Sequence, residues 1–99
     1  MFNVVFTQAA RAELIDAVAW YEGEAPGMGR RFRAQVGITV ERMSATPLQF
    51  PVIHKNVRRA LLRRFPYMLF FTIDGETLLV IACFHASRDP HRCQKRNLA

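Results

Sequence analysis

Residues 57–85 read VRRALLRRFPYMLFFTIDGETLLVIACFH, and the fold turns on how this stretch divides. β-branched and aromatic residues dominate it, with two breaks. Pro66 has no N–H to give a ladder, and Asp74–Gly75 is a favoured hairpin pair. The reading is three extended segments: VRRALLRRF (57–65), YMLFFTI (67–73) and TLLVIACFH (77–85). Side chains two apart share a face. Tyr67, Leu69, Phe71 and Ile73 therefore oppose Met68 and Phe70, and Leu78, Val80, Ala82 and Phe84 oppose Leu79, Ile81 and Cys83. Both faces of this hairpin are apolar.

The first segment differs. Arg59, Leu61 and Arg63 alternate with Arg58, Ala60, Leu62 and Arg64, so neither side is a clean core face. Charge of this kind suits a strand at or near a sheet edge, where it blocks pairing with other chains.

Upstream, FNVVF (2–6) reads as a strand and Thr7 as a helix N-cap. Ala10, Leu14, Ala17, Val18 and Tyr21 recur at helical spacing. Gly23 is expected to end that helix in a left-handed conformation, within GEAPGMG (23–29). A second helix is predicted over about 28–45, with Phe32, Val36, Val40 and Met43 as its stripe and Pro47 as its stop. The segment TPLQFPVIHKN before residue 57 is expected to be a loop. The order is β-α-α-β-β-β: an α+β fold with a helical hairpin packed on one face of a small, four-stranded antiparallel sheet. Two helices cover one face only. The other is expected to be an apolar surface rimmed by arginines, as binding surfaces are.

At 99 residues the chain is one domain, 51% hydrophobic and 22% charged. The net charge of +6 lies in the second half, where residues 55–99 hold nine Lys or Arg against Asp74, Glu76 and Asp89. Such one-sided cationic character predicts an anionic partner. Two cysteines are too few for a disulfide scaffold. Without a signal-like N-terminus or an apolar run long enough to span a bilayer, the expectation is a cytoplasmic protein with no membrane partner. Cys83, His85, His91 and Cys93 match no usual zinc spacing, so no metal and no cofactor are expected.

The ladder Thr7–Ala10–Glu13–Leu14, Tyr21, the helix led by Phe32, the Pro47 stop, VRR at 57–59, FPY at 65–67, VIACFH at 80–85 and the closing His85–Arg88–Asp89–Pro90 together resemble the ParE/RelE toxin superfamily. The FPY and H-x-x-R-x-P signatures are more similar to the ParE branch. The resemblance implies a growth-inhibiting toxin of a type II toxin–antitoxin system, of the kind linked to plasmid stabilisation. It also implies a small antitoxin with an acidic, amphipathic C-terminal segment, and a toxin–antitoxin hetero-oligomer. ParE-like members poison DNA gyrase; RelE-like members cleave messenger RNA on the ribosome.

A non-enzymatic gyrase poison is the leading expectation, because no tyrosine follows Tyr67 as it does in the ribosome-dependent relatives. Metal-free RNA cleavage needs a base, an acid and cations on the phosphate. Were the chain a nuclease, Arg59, Arg63, His85 and Arg88 would form the catalytic set, with His54, Tyr67 and His91 as further acid–base candidates. Target or nucleic-acid contacts are assigned to Arg58, Arg59, Arg63, Arg64, Arg88, Arg92, Lys95 and Arg96. Antitoxin contacts are assigned to Leu61, Met68, Phe70, Leu79 and Ile81. A stand-alone nucleic-acid-binding module, using Phe65, Tyr67 and Phe70 to stack bases, is the other class.

Overall fold

The computed structural model describes residues 2–87. Strand β1 (Asn3–Phe6) leads into helix α1 (Gln8–Glu24), which turns back through helix α2 (Met28–Ala45). A short 3-10 turn (Pro47–Gln49) follows, then β2 (Val52–His54), β3 (Val57–Leu61), β4 (Tyr67–Asp74) and β5 (Thr77–His85). The sheet order is β1-β5-β4-β3-β2. β1 runs parallel to β5, with Asn3 opposite Thr77, and the remaining pairs are antiparallel.

Three local readings are corrected. The sheet has five strands and is mixed, because Val52–His54 leaves the expected loop and pairs outside β3. β3 is therefore one strand in from the edge, and it stops at Leu61, with Arg63 and Arg64 in the turn before Pro66. Gly23 stays helical, and the left-handed residue is Gly27 at φ 89°, which caps the start of α2. The β4–β5 connection is Gly75–Glu76, with Gly75 at φ 61° in the first central position that a type II′ turn reserves for glycine.

Thr7 caps α1 as its chemistry predicts, its Oγ1 accepting from Ala10 N at 3.1 Å. The α1–α2 corner is fastened by Glu22, whose carboxylate accepts from Gly27 N (3.0 Å) and Gly29 N (3.0 Å). Those two bonds, the Gly27 one first, and the nearby Arg30 charge hold its carboxyl below the usual range. At Gly29 the two helices are in close contact: an added Cβ would lie 2.8 Å from the Val18 carbonyl oxygen.

The predicted helix stripes do face the sheet. Ala10, Ala17, Tyr21, Phe32, Val36 and Met43 are buried, with Leu14, Val18 and Val40 packed against them. Tyr21, Phe32, Phe65 and Tyr67 form an aromatic knot, with ring centroids 4.9–5.9 Å apart. Each such ring removed from water contributes roughly 1.5–3 kcal/mol.

Candidate functional site: the helix-free face of the sheet

A β-bulge decides what this face carries. Phe70 pairs with Ala82 but Phe71 pairs with Val80, so Ile81 is an extra residue in β5. Strict alternation fails there. Cys83 joins Leu78 and Val80 on the helix side, while Ala82 and Phe84 turn to the opposite side. On that side Val57, Phe70, Ala82 and Phe84 form a second buried cluster, flanked by Met68 and Ile81. The face is thus not the bare apolar surface expected from the sequence. Its rings are closed in, and among the described residues its accessible apolar groups include Leu61, 52% exposed, Val5, 42% exposed opposite Leu79, and the half-buried Met68, Leu79 and Ile81.

The five residues assigned to antitoxin contact share this face. Leu61 is opposite Met68, Phe70 opposite Ala82, and Leu79 opposite Thr72. Phe70, at 2% exposure, belongs to its buried layer.

The arginines do not act as one surface. Arg58 lies opposite Phe71 on the helix side, and its Nη1 donates to the Phe50 carbonyl at 2.7 Å. Arg59 lies opposite Phe70, on the helix-free side. It lines a cavity of about 280 Å³ with Arg42, Gln49, Phe50, Pro51 and Leu61. Arg63 is exposed in the turn. Arg64, in a left-handed conformation at φ 71°, lines a different cavity of about 380 Å³ with Met28, Arg31, Ala34, Gln35 and Phe65. Arg88, Arg92, Lys95 and Arg96 lie outside the described residues, as do His91 and Cys93.

The suggested nuclease set is divided. His85 pairs with Tyr67, whose ring is 5.2 Å away in an edge contact, and so sits at the helix-side margin. Its Nδ1 accepts from Ser87 N at 3.1 Å, which puts the proton of a neutral ring on Nε2. Arg59 is on the other side of the sheet. His54 is exposed on the edge strand, and Phe65 and Tyr67 are packed in the aromatic knot rather than presented to bases.

Two residues assigned no site role from the sequence, Arg42 and the ladder residue Glu13, matter here. Arg42, in the last turn of α2, places its guanidinium 5.3 Å from the Phe50 ring centroid. Glu13 reaches from α1 to accept from Cys83 N at 3.0 Å, beyond the end of β1, where the β5 edge needs an acceptor. Glu13 and Cys83 are 70 residues apart, and Arg42 reaches Phe50 only because the chain turns back after α2.

This arrangement has relatives. The family model for the ParE toxin of the type II toxin–antitoxin system parDE matches residues 4–90. The chain belongs to the ParE toxin family. Its fold is similar to a chain of the chromosomal ParDE toxin–antitoxin system from P. aeruginosa, with a TM-score of 0.77 at 19% identity, covering 88% of this chain and 98% of that one. It is also similar to a chain of the RelBE2 toxin–antitoxin complex from Mycobacterium tuberculosis, with a TM-score of 0.57 at 26% identity, covering 85% and 96%. Among curated proteins none matches. The ParE branch expected from the FPY signature is the one matched. Among the described residues no helix is long and apolar enough to cross a membrane.

Proposed function

We propose that this ParE-family toxin arrests growth by poisoning DNA gyrase. In this reading a small antitoxin holds it inactive by laying an acidic, amphipathic segment over the helix-free face of the sheet. The observation that favours gyrase over messenger RNA is the division of the nuclease set. An in-line attack by a 2′-hydroxyl needs base, acid and phosphate cations within one small volume. His85 and Arg59 lie on opposite sides of the sheet. Leu61, Met68, Leu79 and Ile81, next to Arg59, match an antitoxin segment carrying both apolar and acidic side chains.

The test uses folded toxin freed from its antitoxin, in a supercoiling reaction with gyrase, ATP and relaxed plasmid. Loss of supercoiling with linear DNA trapped on the enzyme is expected. Unimpaired gyrase, alongside truncated messenger RNA in a translating extract, would replace this reading with the ribosomal one.

A further inference from the structure

Arg59 is left with an unusual imbalance. Its Nε is buried and makes no hydrogen bond, although its neighbour Arg58 has a carbonyl partner at 2.7 Å. A buried guanidinium donor without an acceptor is costly, and a side-chain turn that brings it to a ligand oxygen removes that cost. The cavity beside it supplies a second cation, Arg42, and the amide of Gln49, with no acid in its lining among the described residues. Phe50, Pro51 and the half-exposed Leu61 complete the walls.

We propose that the Arg42–Arg59 cavity is a carboxylate socket, which takes one Glu or Asp side chain from an acidic peptide segment with apolar flanks. The planar fork of arginine suits carboxylate and phosphate alike, so the walls must discriminate. A single strand held through its bases as well as its phosphates needs an aromatic face for a base to stack on. Among the described residues the one aromatic in this lining, Phe50, is 6% exposed, with Arg42 over its ring and Phe71 in an edge contact with it. No stacking platform remains. Leu61, beside Arg59 and opposite Met68, offers instead an apolar ledge of the kind a peptide side chain covers. The socket thus adjoins the accessible apolar row of the helix-free face. One strand can then read charge and hydrophobicity from the same bound segment. This inference rests on the reading of that face as the antitoxin surface, and it names the residue contact that would fix the register of the bound segment.

The test follows the orphaned group itself. In the full-length ¹⁵N-labelled chain, the Arg59 Nε–H resonance is followed during titration with the blocked peptide acetyl-Leu-Glu-Leu-Leu-amide. Its Glu-to-Gln counterpart and inorganic phosphate are titrated in parallel. The glutamate peptide is expected to shift the resonance downfield to saturation, and the glutamine peptide to bind at least tenfold more weakly. Arg42→Gln, followed at the same resonance, and Arg59→Gln, followed by the backbone amide shifts of Leu61, should each erase that preference while the rest of the backbone amide spectrum stays that of the folded protein. No shift, or equal binding of the two peptides, overturns the socket. Tighter binding of phosphate than of the glutamate peptide overturns the peptide assignment and gives the site to a nucleic-acid ligand. The toxin–antitoxin reading is judged separately, by growth arrest on expression and its rescue by the neighbouring gene product. Failure there leaves the titration result standing on its own.

Discussion

The two faces of the sheet use the same strands for different ends. On the helix side, Phe32, Met43, Leu69, Phe71, Leu78 and Val80 are almost wholly removed from water, and two helices from one end of the chain supply the cover. On the other side the buried layer shrinks to Val57, Phe70, Ala82 and Phe84, and around it stand groups that remain accessible. The first face consists of burial that a 99-residue chain cannot spare. The second has a smaller buried layer and leaves apolar groups accessible, as the proposed antitoxin surface requires.

The contrast can be broken most forcefully at Phe32. Phe32→Ala should lower unfolding stability by about 3–5 kcal/mol, measured by urea titration; a cost below about 1 kcal/mol would mean the aromatic knot is not the structural centre. Next comes the helix–helix approach. Gly29→Ala forces a Cβ to within 2.8 Å of the Val18 carbonyl oxygen, a backbone atom that moves only with its helix. A loss of about 1–3 kcal/mol is expected from that overpacking, and calorimetry would register it.

Leu61 sharpens the comparison from the other side. At 52% exposure, Leu61→Ala should leave stability within about 0.5 kcal/mol. It should nevertheless weaken antitoxin binding about tenfold, near 1.4 kcal/mol, as read by titration calorimetry. A variant that unfolds as readily as Phe32→Ala would erase the distinction between the faces.

The smallest effect is at Glu22. Its carboxyl is held below the usual range by the Gly27 and Gly29 N–H groups, so its contribution is complete above the ordinary carboxylate pKa. That contribution is lost as the pH falls through the lowered folded value. Glu22→Gln should therefore melt below the wild type near neutral pH, and the gap should close in acid. A gap that stayed constant with pH would show that the carboxylate charge is not what fastens the corner.

Much of this was legible in the chain. Thr7 announces a cap, and the helix stripes are regular enough that their buried positions follow from spacing alone. The two-sided apolar character of residues 67–85 is equally local, while the ParE resemblance lies in the order of short motifs from Thr7 to Pro90. What escaped depends on pairing. Val52–His54 looks like a loop because three residues next to a proline carry no period, and it becomes a strand only when β3 offers it an edge. The bulge at Ile81 leaves no trace in composition, yet it reverses the faces of Ala82, Cys83 and Phe84. Arg58 and Arg59 are chemically identical in the sequence. One meets the Phe50 carbonyl and the other a cavity because they alternate across the sheet, and Arg42 joins the second through a contact that no short motif records.

The parallel pairing of β1 with β5 has a consequence for when the protein becomes itself. Asn3 and Thr77 are partners, so the first strand to be synthesised has no neighbour until almost the last one exists. Contacts this distant along the chain form slowly. Until β5 has been made, the N-terminal strand lacks its partner and the helical hairpin lacks the completed sheet it covers. The sheet can thus close only after Thr77–His85 has been made, which leaves the helical hairpin to fold ahead of the surface it packs on.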